Sequence, residues 1–223
     1  DFVYTGTLLA CAEMILSGTT TFCDMYLFED ETARAAKAAG MRCLAGEVLY
    51  DFPSPNYGPI ERGFEYTRFL LEKWKDDPLI SIAVEPHSPY TCSPELLQKA
   101  HAMAAEHQAA LVIHMAETQH EINEVQEKYG RKPFAHLDHL GVLGPRVIAD
   151  HCVVVDEGEM DLLAGHQVKV VHNPESNMKL ASGIAPVPAM LKRGITVALG
   201  TDGCASNNDL DLFSEMDTAA KLH

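Results

Sequence analysis

The sequence predicts an α/β protein built as an incomplete (β/α)8 TIM-type barrel, with about seven parallel strands and the first strand missing. Two observations lead to this prediction. Short apolar runs alternate with longer segments of helical period along all 223 residues, and such alternation implies a parallel sheet with right-handed crossovers. Several apolar runs also end in a histidine or an aspartate, which is typical of strands whose carboxyl ends face an active site.

The composition is that of an ordinary globular domain, and we interpret residues 1–223 as a single partial barrel domain. The formal net charge of −15 argues against nucleic acid or an anionic membrane as a partner. Six cysteines without a Cys-x-x-Cys pair indicate buried, reduced thiols and a cytoplasmic location. The apolar stretch at residues 8–16 is too short to span a bilayer and contains Glu13.

Residues 1–87 are predicted to contain three helices and three strands. Turn formers separate them: Gly18 and Gly40 end helices, and prolines and glycine fill a loop at residues 51–59. In chain order the elements are a helix at 5–17, a strand at 19–24, a helix at 31–39, a strand at 41–50, a helix at 60–75 and a strand at 80–87.

The rest of the chain continues the alternation. Ser93 and Pro94 have the form of an N-cap and a first helical residue, and they open a helix that runs to about residue 107. We interpret the histidines of helices and connections, among them His136, as surface residues. The elements that follow are a strand at 110–114, a helix at 119–129, a connection containing His136 and His139, a strand at 147–151, a helix at 157–164, a strand at 168–171, a long loop at 172–183, a helix through Met190, a fully buried strand in 195–203 and a helix from 210 onward.

Four strand ends carry the candidate chemistry. They bring His87, His114, His151 and Asp202 to the edge of the sheet where the carboxyl ends meet, with Glu117 three residues after His114. A carboxylate at the mouth of a buried strand is costly unless a cation or hydrogen-bond donors receive it. Imidazoles that converge with a carboxylate form a site for a hydrolytic metal such as Zn²⁺, which lowers the pKa of bound water to about 7. Glu117 is placed to move protons.

Longer motifs connect these residues to a known family. The motifs are His114-Met-Ala-Glu117-Thr118, Ala149-Asp-His151-Cys, Pro86-His87-Ser-Pro-Tyr-Thr-Cys92, the run from His172-Asn-Pro-Glu-Ser-Asn-Met-Lys to Gly183, and Leu199-Gly-Thr-Asp202-Gly-Cys-Ala-Ser-Asn-Asn. Together they resemble the amidohydrolase superfamily, and within it the branch of 5-methylthioadenosine/S-adenosylhomocysteine deaminases and related chlorohydrolases. The resemblance covers the whole chain with the motifs in the family's order.

The resemblance implies one divalent metal, usually zinc and sometimes iron. The family holds it with a His-x-His pair on the first strand, a histidine on the fifth and an aspartate on the eighth. His114 matches the fifth-strand ligand and Asp202 the eighth-strand ligand and base. By the same resemblance His151 orients the attacking water, Glu117 is the proton shuttle and His87 contacts the substrate base. Arg62 resembles an arginine that holds the carboxylate end of the substrate.

Three departures from the family pattern shape the expectations. The chain contains no His-x-His pair, the family's small β-sandwich is missing, and Glu47 stands where some deaminases of the branch carry a second arginine. We therefore expect a fragment of a larger enzyme that is inactive, or nearly so, by itself. Its two open sheet edges are liable to pair with another chain, so a homo-oligomer is possible.

The predicted function is metal-dependent hydrolytic deamination of an adenine nucleoside, in which metal-bound hydroxide attacks a C–N carbon and ammonia leaves. One alternative keeps the chemistry and changes the small-molecule substrate to a guanine, cytosine or triazine ring. A binuclear cyclic amidase would need a lysine at the end of the strand at residues 80–86, which has none. The last alternative is a catalytically incompetent barrel fragment.

Overall fold

The computed structural model describes residues 2–223. In the first half the elements are α1 (Phe2–Leu16), β1 (Thr21–Tyr26), α2 (Glu29–Ala39), β2 (Arg42–Leu49), α3 (Ile60–Trp74), β3 (Ile80–Ile82), β4 (Glu85–Pro86) and α4 (Pro94–His107). In the second half they are β5 (Leu111–Met115), α5 (Gln119–Tyr129), α6 (Pro133–His139), β6 (Val147–His151), α7 (Glu157–Gly165), β7 (Lys169–His172), α8 (Pro174–Lys179), α9 (Val187–Lys192), β8 (Val197–Leu199) and α10 (Leu212–Leu222).

All strand pairs are parallel and follow the order of the chain. β1 pairs with β2, β2 with both β3 and β4, and β5 to β8 pair in sequence. Val84 joins the two groups, because its N–H donates to Ala110 O (2.9 Å) and its carbonyl accepts from Val112 N (3.2 Å). Since β3 and β4 occupy one strand position, the sheet has seven positions. The predicted incomplete α/β barrel with parallel strands is confirmed.

Local sequence explains why several helices begin where predicted. Ser93 accepts a hydrogen bond from Leu96 N (3.3 Å) and Pro94 is the first residue of α4. Thr118 likewise accepts from Glu121 N (3.2 Å) at the start of α5. Both caps satisfy an amide that the first helical turn leaves without a partner.

Three local predictions were wrong. The strand predicted at residues 80–87 is interrupted into β3 and β4, the connection after α5 contains the helix α6, and the loop at 172–183 contains the short helix α8. His136 was predicted at the surface but is buried, because α6 packs against α7. The His136 ring stacks on the Tyr129 ring, with centroids 4.1 Å apart. Tertiary packing therefore placed a polar ring in a position that local sequence did not indicate.

The strand predicted as fully buried around residues 195–203 is short and partly exposed. β8 contains three residues, and Ala198 is solvent-exposed. The reason is its position in the sheet: among residues 2–223, β8 pairs only with β7, just as β1 at the opposite edge pairs only with β2. A strand with one neighbour buries less of its surface than the interior strand that an apolar run predicts.

The core lies between the sheet and the helices that cover it. It is formed by fully buried side chains such as Leu49, Leu97, Ile113 and Phe134. No cysteine is in a disulfide, but the expectation that all six are buried was wrong, because Cys23 and Cys204 are exposed. Among residues 2–223 there is no helix with the length and apolar character needed to cross a membrane.

Gly46 on β2 allows a close approach between neighbouring strands. A Cβ at this position would lie 2.2 Å from Cδ of Glu85, and Glu85 is fully buried and cannot swing into solvent. We predict that Gly46→Ala lowers the free energy of unfolding by about 3 kcal/mol, the upper end of the usual cost of overpacking. Denaturant unfolding of the 223-residue chain measures this change.

Gly6→Ala is the matched control for that substitution. Gly6 lies in α1, and a Cβ added there would meet no neighbouring atom within 4 Å, so alanine is expected to stabilise the helix by about 0.5–1 kcal/mol. Equal stabilities for the two variants would contradict the packing argument at Gly46.

Candidate active site

The structure brings three of the predicted imidazoles together at the carboxyl ends of adjacent strands. His87 follows β4, His114 lies in β5 and His151 ends β6. The ring centroids of His87 and His114 are 5.0 Å apart, and those of His114 and His151 are 5.5 Å apart. The parallel sheet accounts for this row, because equivalent positions on neighbouring strands lie at the same edge.

His87 and His114 are held by hydrogen bonds to their Nδ1 atoms. Nδ1 of His114 lies 2.9 Å from the main-chain oxygen of His87, so this nitrogen carries the proton and Nε2 is free. Nδ1 of His87 lies 2.8 Å from Thr91 Oγ1 and 3.1 Å from Ser88 Oγ. Burial, with the neighbouring His114 and His151 rings, lowers the pKa of His87 to about 4. His87 is therefore neutral at neutral pH.

Glu117 lies in a turn that the Glu121 carboxylate stabilises. Ala116 has a left-handed φ of 51°, and the amides of Ala116 and Glu117 each donate to Glu121 at 2.9 Å. The Glu117 carboxylate accepts from Ser182 Oγ (3.2 Å) and lies 3.8 Å from Nε2 of His151. This carboxylate consequently faces the row of imidazoles.

Asp202 also lies beyond a strand end in a left-handed conformation, with φ 59°. Its carboxylate accepts from Ser176 Oγ (2.6 Å) and from Gly203 N (2.7 Å). Burial by itself would raise the pKa of Asp202, but the Ser176 hydroxyl, the His151 ring and the Gly203 amide outweigh it and lower the pKa below the ordinary value. Asp202 is therefore an anion at neutral pH.

His151 is buried, with 2% of its surface exposed. Its Nδ1 lies 3.0 Å from Asn177 Oδ1 and 3.4 Å from Asn173 Nδ2, and both asparagines are buried. The residue has a φ of 69°, a conformation that is uncommon outside glycine and that clusters at functional sites. Nδ1 of its ring therefore faces two buried asparagine side chains.

Arg62 and Glu47 differ from the other predicted residues. Arg62 is exposed in the first turn of α3, and in the part of the chain that the structure describes no hydrogen bond or ion pair joins its side chain to the imidazoles. Glu47 is fully buried and accepts from the main-chain N–H of Glu29 (3.1 Å) and from Asn56 Nδ2 (2.8 Å). Glu47 thus caps the start of α2.

His114 and Asp202 fit part of a zinc site. They offer one nitrogen and one oxygen donor of the types that zinc takes, and the hydrogen bond at Nδ1 of His114 leaves its Nε2 free to coordinate a metal. Among residues 2–223 there is no cluster of three or more histidine, cysteine, aspartate or glutamate side chains arranged to hold a metal ion. The described residues therefore do not form a complete metal site.

The sequence did not predict the contacts of four residues that support this group. Ser176 and Asn177 contact Asp202 and His151, and Ser182 and Glu121 position Glu117. Three of the four lie in the run at residues 172–183, whose length and density of turn formers were the only signal. Which histidine or carboxylate each one contacts depends on tertiary structure.

The carboxyl group of Glu47 generates a pH-dependent stability. Burial raises its pKa to about 7, although the bonds from Asn56 and Glu29 oppose the shift. Because this pKa lies above the ordinary value of 4.5, the stability that Glu47 contributes is complete below pH 4.5 and is lost as pH rises through about 7. We predict that Glu47→Gln, which resembles the protonated carboxyl, gains stability relative to the parent by up to about 3 kcal/mol between pH 4.5 and 8.

Urea unfolding at several pH values measures this difference. Glu65→Gln, a change at an exposed position of α3, is the control and is expected to leave the pH dependence of the unfolding free energy unaltered. Parallel pH profiles for the Glu47→Gln variant and the parent would refute the assignment.

Comparisons with known proteins identify the family of the chain. The model of the amidohydrolase family matches residues 1–223. A 5-methylthioadenosine/S-adenosylhomocysteine deaminase from Syntrophobacter fumaroxidans is 66% identical over 100% of the chain and 51% of the relative. A 5'-deoxyadenosine deaminase from Methanothermobacter thermautotrophicus is 48% identical over 100% of the chain and 52% of the relative. The chain thus spans about half the length of these curated relatives.

A solved structure shows the same fold. The adenosine deaminase from Xanthomonas campestris, determined with bound zinc, has a TM-score of 0.97 and 43% sequence identity over 99% of this chain and 50% of that one. The family match extends over every strand of the sheet and every residue of the row of imidazoles and carboxylates. The chain belongs to the amidohydrolase family.

Proposed function

We propose that this chain supplies the greater part of the active site of a metal-dependent deaminase that hydrolyses the exocyclic C–N bond of adenine nucleosides. The observation that carries the proposal is the convergence of His87, His114, His151 and Glu117 at one edge of the sheet, in a chain whose relatives bear deaminase names. The overall reaction consumes water and releases ammonia, leaving the corresponding hypoxanthine nucleoside.

The proposed metal ligands are His114 and Asp202, with the other ligands supplied from outside these 223 residues. A bound divalent cation, zinc by preference and iron as the alternative, would lower the pKa of a water molecule to about 7. Asp202, an anion, would take the second proton of that water and pass it to the leaving amino group, which departs as ammonia. The hydroxyl of Ser176, 2.6 Å from Asp202, keeps the carboxylate in place.

Glu117 is proposed to carry the proton to the substrate. Its carboxylate lies 3.8 Å from Nε2 of His151, so a water held by His151 is within reach of Glu117. The carboxylate would take one proton from this water and transfer it to a ring nitrogen, which makes the carbon that carries the amino group a better electrophile. Ser182 keeps the Glu117 carboxylate in this orientation.

His87 is proposed to contact the heterocycle. With Nδ1 engaged by Thr91 and Ser88, its Nε2 is available to a ring nitrogen or an exocyclic group of the base. Its low pKa keeps the imidazole neutral, so it recognises the base by a hydrogen bond rather than by charge. A nucleoside of the 5-methylthioadenosine or S-adenosylhomocysteine type would extend from here towards Arg62, which the proposal assigns to the substrate's carboxylate end.

Substitution of Glu117 tests the proposed chemistry. In the longer protein that contains this chain, loaded with zinc, Glu117→Gln is expected to lower kcat by about 10²- to 10⁴-fold because the proton transfer is lost. The absorbance change of adenine to hypoxanthine measures the rate with S-adenosylhomocysteine, 5-methylthioadenosine and adenosine. Glu127→Gln, at an exposed position of α5, is the control and should retain full activity. A fully active Glu117→Gln enzyme would exclude the proposed shuttle.

The 223-residue chain by itself is expected to bind zinc weakly and to turn over none of the three nucleosides. The physical reason is that two protein donors leave a tetrahedral ion with half its ligands. Isothermal titration with zinc, together with the same absorbance assay, measures both properties. Tight one-to-one binding or full-rate turnover by this chain would contradict the prediction.

A further inference from the structure

Two asparagines next to His151 require opposite protonation states of its Nδ1. Asn173 is the N-cap of α8 and Asn177 lies four residues later, so both side chains reach the same side of the short helix. Oδ1 of Asn177 lies 3.0 Å from Nδ1 of His151, and Nδ2 of Asn173 lies 3.4 Å from the same atom. An amide oxygen requires a proton on Nδ1, whereas an amide NH2 requires a lone pair there.

Only one of these bonds can form with a neutral ring, and the distances decide between them. The separation of 3.0 Å from Asn177 lies in the usual range for an N–H···O bond, whereas 3.4 Å from Asn173 lies beyond it. His151, Asn173 and Asn177 are all buried, so bulk solvent does not replace either asparagine at Nδ1. The tautomer of His151 consequently depends on which asparagine it bonds.

We infer that Asn177 is a positioning residue that holds His151 in the tautomer with the proton on Nδ1. The lone pair of the neutral ring then lies on Nε2, which faces Oε2 of Glu117 at 3.8 Å. Asn173 is the competing donor, and it imposes the opposite tautomer when Asn177 is absent.

The catalytic consequence rests on the proposed deaminase function. In that function His151 orients the attacking water, which donates a hydrogen bond to its Nε2. Nε2 accepts that bond only in the tautomer that Asn177 imposes, whereas an N–H at this position would repel the donor. The role inferred for Asn177 is exerted through its contact with His151.

Nitrogen NMR of the histidine rings tests the tautomer without any assay of activity. Two-bond proton–nitrogen correlation spectra of the 15N-histidine-labelled 223-residue chain distinguish the two ring nitrogens, and the His151→Gln variant identifies the signals. We expect the Nδ1–H form in the parent chain and a change to the Nε2–H form in Asn177→Leu. The matched variant Asn173→Leu removes only the competing donor and should keep the Nδ1–H form.

Each outcome of this experiment bears on the inference. An Nε2–H form in the parent chain overturns it, and so does a tautomer that changes in Asn173→Leu. The other histidine rings report the fold of each variant. If Asn177→Leu does not fold, the parent chain and Asn173→Leu still decide the question.

Kinetics of the longer zinc-loaded protein separate this inference from the proposed function. Asn177→Leu is expected to lower kcat about 10- to 100-fold with KM little changed, as is usual when a partner that orients a site histidine is lost. A changed tautomer with unchanged kcat would overturn the catalytic part of the inference. An absence of deamination in the parent protein, together with the expected tautomers, would instead count against the proposed function.

Discussion

The candidate site depends on a carboxylate that has no direct contact with the row of imidazoles. Glu121, in the first turn of α5, accepts the main-chain amides of Ala116 and Glu117 and so stabilises the left-handed turn after β5. Burial raises the pKa of Glu121 to about 7, while the two amides oppose the shift. Because both amides would otherwise be buried without a partner, the carboxyl group offsets a cost of about 1–3 kcal/mol for each of them. The position of the Glu117 side chain follows from this turn.

A buried carboxyl group also accepts a main-chain amide at two other helix starts. Glu47 accepts the amide of Glu29 at the start of α2, and Glu215 accepts the amide of Glu175 at the start of α8. Each of these carboxyl groups has a pKa raised by burial to about 7. Short helices that follow parallel strands begin with unsatisfied amides, and a buried carboxyl group from a neighbouring element can serve several of them.

The electrostatic roles at the site are separated by environment. His87 is kept neutral by burial and by the neighbouring rings, whereas Asp202 is kept anionic by the donors that surround its carboxylate. A neutral imidazole can exchange hydrogen bonds with a ligand, whereas an anionic carboxylate can accept a proton or bind a cation. Both states arise from the local environment of each side chain.

Much of the architecture could be predicted from the chain alone, because hydrophobic period and turn formers are local properties. The alternation of strands and helices identified the parallel sheet, and the residues at strand ends identified His87, His114, His151, Glu117 and Asp202 as neighbours. Departures such as the lack of a His-x-His pair were also visible in the sequence. Motif order identified the family before any contact was known.

Tertiary structure decided the properties that depend on neighbours distant in sequence. The exposure of β8 follows from its having one strand partner, and the burial of His136 follows from the packing of α6. Glu47 resembled a substituted substrate contact in sequence, but in the structure it caps a helix. The sequence by itself determined which histidine and carboxylate side chains reach the edge of the sheet, because strand direction and hydrophobic period are local properties. Only the fold determined which partner each group meets, because hydrogen bonds and burial depend on contacts across the whole domain.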